Sequence, residues 1–184
     1  MITWIIGLLI LTVLAVLVFA ASKPNTFIVV REAEVKATPA RVYAVINDFH
    51  EWSNWSPWEK MDPAMNRMHS GAASGQGAVY QWNGNKKVGE GRMEITGTQP
   101  SRIDIDLHFM KPFEARNKTV FSLAPAGDGT RVRWEMAGSS PFMFKVMGLF
   151  MNMDLMIGKD FEAGLANMKA VLEQKRSGHP LESF

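Results

Sequence analysis

The chain has 184 residues, and its 20 Lys and Arg against 18 Asp and Glu leave a net charge of +2 with the two signs well mixed. That length suits one domain plus accessories, and no basic block of the kind that marks nucleic-acid binding is present. There are no cysteines, which excludes disulfides, zinc–thiolate sites, iron–sulfur clusters and thiol catalysis.

Residues 2–20, ITWIIGLLILTVLAVLVFA, carry no charge, and Thr3 and Thr12 are the only polar side chains among them. As a helix this run is about 28 Å long, close to the hydrocarbon thickness of a bilayer. A cleaved secretory signal needs a basic segment ahead of a shorter apolar core. Val18-Phe19-Ala20 resembles a cleavage site, but no Lys or Arg precedes the run. The preferred reading is therefore an uncleaved single-span anchor over residues 1–21. Trp4 then lies near one interface, and Lys23, Arg31 and Lys36 follow the span, which favours a cytoplasmic C-terminal domain. The alternative is signal cleavage and a periplasmic or secreted domain.

Residues 22–25, Ser22-Lys23-Pro24-Asn25, form a polar linker that Pro24 keeps from extending the helix. The folded domain is expected over 26–176, enough for one sizeable core, and 177–184 as a flexible tail. FIVVREAEVKA (27–37) reads as a strand with Phe27, Val29, Ala33 and Val35 on one face. Thr38-Pro39 is a helix start, and the helix that follows puts Val42, Val45 and Ile46 on one side. The stretch FHEWSNWSPWEKMDP (49–63) then places three of the chain's 6 tryptophans, Trp52, Trp55 and Trp58, in a turn.

From residue 66 the apolar period becomes two. NRMHSG and GAVYQWNGNKKVGEGRMEITG read as strands, the latter a hairpin turning at Asn83-Gly84-Asn85. In SRIDIDLHFM, Ile103, Ile105, Leu107 and Phe109 alternate with Arg102, Asp104, Asp106 and His108. ARNKTVFSLAP follows, and TRVRWEMAG sets Val132, Trp134 and Met136 opposite Arg131, Arg133 and Glu135. Strands of this kind belong to an antiparallel sheet with one wet face. A helix is predicted over 142–174, with a break before Asp154, from apolar residues at helical spacing interrupted by Gly148, Gly158 and Gly164. The order predicts an α+β domain. A strongly curved sheet of about seven strands wrapped on a long helix cannot match it everywhere, and the mismatch is a natural ligand cavity.

The candidate cavity lining is Trp52, Trp55, Trp58, Tyr80, Trp82, Met93, Phe109, Phe121, Trp134, Met147, Met151, Ile157 and Phe161. The tryptophan turn has three readings: a plug for the end of the core, the cavity mouth, or a contact with the bilayer. Six of the 13 methionines (143, 147, 151, 153, 156 and 168) fall on the last helix, as an adaptable apolar wall or as ordinary core. The 4 histidines, 50, 69, 108 and 179, show no metal-binding spacing, and neither a metal nor a cofactor is expected. No catalytic residue is assigned; His50 is the best-placed general base, and Glu51 and Glu90 are further weak acid–base candidates. Glu90, Arg92 and Glu94 read first as an exposed ion-pair ladder. Should Gly89 and Gly91 instead face inward, they widen the cavity. Arg31 shares the parity of Val29 and Ala33, and is either a strand-end residue in solvent or an anchor for an anionic head group.

VREAEVKATPARVYAVINDFHEWSNWSPWEKMDP, GNKKVGEGRMEI and MGLFMNMDLMIGKDFEAGLANMK carry a resemblance to a known family over about residues 26–172. The chain resembles the helix-grip fold of the START-like superfamily, also labelled SRPBCC. Within it, the closest likeness is to the polyketide cyclase/dehydrase-like branch and its membrane-anchored bacterial members. The resemblance implies a cavity that holds lipids, sterols, polyketides or hormones, with catalysis in only some members, and it transfers no catalytic motif. The leading expectation is a membrane-tethered binding module for a small hydrophobic or amphipathic, lipid-like molecule, with no nucleic-acid partner. The alternatives are a cavity enzyme of cyclase or hydratase type and a scaffold with a filled interior and no ligand.

Overall fold

The computed structural model describes residues 2–150 and 152–177; Met151 and residues 178–184 of the expected tail lie outside the described residues. Helix α1 is Ile2–Ala21, and strand β1 is Thr26–Val35. Helix α2 (Pro39–Asn47) leads into α3 (Trp52–Trp55), which lies between 3-10 turns at Phe49–Glu51 and Pro57–Lys60. Six strands follow: β2 (Asn66–Gly71), β3 (Ala78–Asn83), β4 (Glu90–Gln99), β5 (Arg102–Lys111), β6 (Ala115–Ala126) and β7 (Gly129–Ser139). Helices α4 (Phe142–Met147) and α5 (Met153–Ser177) complete the described chain.

The strands form one seven-stranded antiparallel sheet in the order β1-β7-β6-β5-β4-β3-β2. The sheet buries a single face, as strict alternation demands. Ile103 and Ile105 of β5 and Val132, Trp134 and Met136 of β7 are buried, whereas Arg131 is exposed. Helix α5 lies across that inner face and delivers Phe161, Leu165, Met168 and Leu172 to the core. This is the helix-grip arrangement. The predicted break in the last helix lies between α4 and α5, where Gly148 ends α4. The Asn152 side chain then accepts the Leu155 N–H at 3.1 Å, tying down a donor of the first turn of α5.

Two glycines let α5 approach closely. A Cβ at Gly158 would collide with the Arg31 guanidinium, and one at Gly164 would lie 2.8 Å from the Trp134 ring. Their helix-propensity cost of about 1 kcal/mol each is offset by that contact. Arg31 corrects both sequence readings, since it neither sits in solvent at a strand end nor reaches the cavity. From the edge strand β1 it bonds Glu162 at 2.6 Å and the Asp154 carboxylate at 3.1 Å, clamping α5 to the sheet. Bonding to Arg31 holds the Asp154 carboxyl below its ordinary range.

The tryptophan turn is tied back to the helix before it. The indole N–H of Trp52 donates to the Ile46 carbonyl at 3.0 Å, and that of Trp55 to Val45 at 3.1 Å. These are last-turn carbonyls of α2, which have no partner within a helix. The Asn167 carboxamide of α5 donates to the Trp55 carbonyl at 3.1 Å. Trp55→Phe stays aromatic but removes the N–H and part of the buried ring, leaving the Val45 carbonyl unpaired beside a small cavity, so urea denaturation is expected to show a loss of at least about 1–3 kcal/mol.

Candidate ligand-binding cavity

The aromatic core fills only one end of the space between sheet and helix. Trp134 stacks on Phe161 at 4.1 Å with the rings 7° from parallel, and Trp58 meets both edge-on at 5.8 and 6.3 Å. Beyond this group a cavity of about 900 Å³ remains. That is large among small-molecule sites, which run from about 300 to 1,000 Å³.

Strand register sets the wall in levels. Phe27, Gly138, Asn117, Leu107, Met93 and Tyr80 are cross-strand neighbours on six successive strands. One level towards the mouth stand Ala115, Phe109, Gly91 and Trp82. Met136 and Thr119 lie one level deeper. The mouth is bordered by Lys23, Pro24, Phe113, Phe144 and Phe150.

Of the thirteen residues expected to line the cavity, nine border it: Trp52, Trp58, Tyr80, Trp82, Met93, Phe109, Trp134, Ile157 and Phe161. Trp55 and Phe121 lie behind the wall, packed against each other and against Trp134. Met147 is half-buried on α4 and borders no part of the cavity. Met151 lies outside the described residues. The tryptophan turn thus divides its work, with Trp55 plugging the core and Trp52 and Trp58 facing the hollow.

The three acid–base candidates lie elsewhere. His50 is exposed, bonds Asp48 at 2.8 Å and stacks on His69 at 4.2 Å. Burial, and then the neighbouring His50, push the His69 pKa down. Glu51 accepts from Asn54 at 3.0 Å. Glu90 pairs with Lys111 at 2.6 Å and Arg92 with Glu94 at 2.7 Å, an outward ladder. Gly91 does face inward, but the Trp82 ring lies over it, so it opens no extra space. His108, one of the outward residues of β5, meets Glu114 at 3.1 Å.

The sequence reading assigned no polar residue beyond Tyr80 to the lining, yet Glu59, Asn117, Thr119 and Asp160 are among those that border it. Glu59 is nearly enclosed; it accepts the Tyr80 hydroxyl at 2.5 Å and pairs with Arg67 at 2.6 Å. Burial, and then the bond to Glu59, keep the Tyr80 phenol protonated far above its ordinary range. Asn117 Oδ1 and the indole nitrogen of Trp134 are buried without a hydrogen-bond partner. Such orphans are rare in folded proteins; both residues border the hollow, while the two atoms themselves are covered, Asn117 Oδ1 lying against Gly138. Asn117 was legible, for it shares the inward parity of Thr119 and Phe121. Asp160 lies one turn after Ile157 and was legible too. Glu59 sits in an irregular turn, where no period marks a side chain's direction.

Residues 26–173 match a family described as polyketide cyclase / dehydrase and lipid transport. The sequence matches no curated protein. Among solved structures, protein CV1439 from Chromobacterium violaceum is similar at 16% identity and TM-score 0.57, covering 82% of this chain and 99% of its own. The Aha1 dimer structure from Colwellia psychrerythraea is similar at 16% identity and TM-score 0.55, with 80% and 96% covered. The crystal structure of Ara h 8.0201 is 11% identical with TM-score 0.54, and 81% and 99% are covered. At these identities the likeness is one of fold.

Asp160 supplies a test of the cavity's interior character. Burial raises its pKa above the ordinary value of 3.8, so the folded chain holds this proton to higher pH than the unfolded chain does. The resulting cost to stability is absent below that ordinary value, grows as pH rises towards the folded pKa, and persists above it. Asp160→Asn removes the cost. Thermal melts are expected to show a rise of roughly 1–3 °C at neutral pH and no rise in acid below the ordinary carboxyl value.

Proposed function

Because the chain belongs to the polyketide cyclase / dehydrase and lipid transport family, we propose that it is a binding module tethered to a membrane by α1, whose cavity holds one small amphipathic, lipid-like molecule. The observation that carries this reading is the composition of the 900 Å³ hollow. Its wall is aromatic and aliphatic, from Phe27, Trp82, Met93, Leu107, Phe109 and Ile157. A few polar groups, Asn117, Thr119, Tyr80 with Glu59, and Asp160, are set among them. Apolar contact at about 25 cal/mol per Å² drives such a molecule in, against the cost of ordering it. The polar groups fix which way round it lies.

The tether reading rests on α1, which is 20 residues long, uncharged and exposed along nearly its whole length. It is long and apolar enough to cross a membrane, a property that a signal sequence near the N-terminus shares. A ligand with little solubility in water is best met beside the bilayer that dissolves it, and an uncleaved α1 keeps the cavity there. The acid–base reading loses support because His50, Glu51 and Glu90 all lie off the cavity. The scaffold reading required a filled interior and does not fit a hollow of this size.

Native mass spectrometry of the full chain released from mild detergent tests the proposal. One non-covalent adduct per chain is expected, and it should weaken in Leu107→Trp, whose indole narrows the hollow at the level of Met93 and Asn117, with a thermal melt to confirm that the variant is folded. No adduct, together with no thermal shift on adding fatty acid or phospholipid, overturns the reading. Asn117→Leu is expected to stabilise the ligand-free chain by removing a buried orphan, and to weaken ligand binding about tenfold, or 1.4 kcal/mol. Paired melts and titrations check both signs.

A further inference from the structure

The end of α1 and the mouth of the cavity occupy the same place. The last turn of α1 packs against α4, where Ala20 is fully buried. Lys23 and Pro24, just past the helix, border the cavity together with Phe144 and Lys145 of α4. Asn25 fixes this join twice: its carbonyl accepts the Ser140 N–H at 2.7 Å, and its side-chain oxygen accepts from Lys145 at 2.6 Å. The linker therefore holds the mouth against the helix end.

The surface around that mouth is apolar and exposed. Phe113 is 62% exposed, Phe142 43%, Met143 66% and Phe150 78%. Phe113, on the turn between β5 and β6, meets Phe144 of α4 edge-on at 6.3 Å and so joins the two sides of the opening. Lys23, Lys111 and Lys145 stand among these residues. Two acids lie nearby: Glu90 pairs with Lys111 and so offsets its charge, and Glu114 meets the His108 ring, which leaves Lys23 and Lys145 as the cations of the rim.

We propose that this rim is a membrane-docking face, through which the cavity opens into a lipid leaflet and not into water. The inference rests on the reading of α1 as a membrane span. A spanning helix of 20 residues is about 30 Å long, so Ala21 stands at head-group level. Lys23 is then within about 7 Å of that level, and α4, packed on the last turn of α1, shares it. Exposed aromatic and Met side chains at that depth bury their surface at the acyl boundary, while lysines meet anionic head groups. An amphipathic molecule then reaches Phe109 and Leu107 from the leaflet without crossing water.

The absence of cysteine from the sequence makes the test clean, since any introduced cysteine is labelled alone. Spin labels are placed at Phe113→Cys, Phe150→Cys, Leu9→Cys in α1, and Ala124→Cys near the distal β6–β7 turn. The full chain is reconstituted in vesicles of phosphatidylcholine with a minority of phosphatidylglycerol, and collisions with oxygen and with a water-soluble nickel chelate are measured. Labels at 113, 150 and 9 are expected to collide with oxygen and be shielded from nickel, and the label at 124 to show the reverse. Nickel access at both 113 and 150, with the label at 9 still in lipid, overturns the docking face and leaves the tether standing. Nickel access at 9 as well overturns both. Dipolar broadening between labels at 150 without oxygen access would mark a second copy as the occupant, and also overturns the proposal. In vesicles of phosphatidylcholine alone the label at 150 is expected to sit shallower; an unchanged depth removes the lysines from the account.

Discussion

The stack of Trp134 on Phe161 sets how far the last helix can sink into the sheet. Parallel rings 4.1 Å apart are at contact, and Gly164 passes over the same indole with no side chain of its own. Nearer the start of α5, Arg31 grips Asp154 and Glu162 from an edge strand. These two attachments hold α5 against the sheet, while on its α4 side the space between helix and sheet is left open. The cavity is what these two attachments leave behind. Tight packing at one end and a hollow at the other are therefore a single arrangement, since interiors close up wherever nothing holds them apart.

The same arrangement gives meaning to the polar atoms in the wall. A buried carboxamide oxygen or indole N–H without a partner costs stability, and a chain under no other demand has cheap ways to avoid it. Asn117 stands in a register level whose neighbours are Leu107 and Gly138, where an aliphatic residue would pack more easily. Glu59 shows the opposite economy: it is engaged by both Tyr80 and Arg67, which braces the turn after the tryptophans. Tyr80 and Asn117 share one cross-strand level with Leu107 and Met93. Polar and apolar side chains thus stand side by side at the same level of the wall.

Most of the architecture was legible in the sequence because a half-wet sheet has a period that nothing else mimics. Strands β5 and β7 alternate cleanly, and their buried and exposed sets follow directly. The site was legible less evenly. Parity correctly brought Met93, Phe109 and Trp134 to the inner face but could not say how deep each lies, so Phe121, on the same face, fell in the solid core. Arg31 shows a second limit, because the acids that claim it are more than a hundred residues away on α5. The tryptophans recur every three residues, but that spacing alone does not say what each indole meets. Its indoles point where α2 carbonyls await donors, and that is visible only once helix and turn are placed together.

The two bonds made by Asn25 limit how the domain can move. A free linker of four residues would let a domain swing through roughly 14 Å, yet here the backbone beside Pro24 is fastened to Ser140 and Lys145. With α1 in a bilayer, such a domain has no radius of search. If α1 spans a bilayer, the cavity mouth stays beside the leaflet from which the helix emerges.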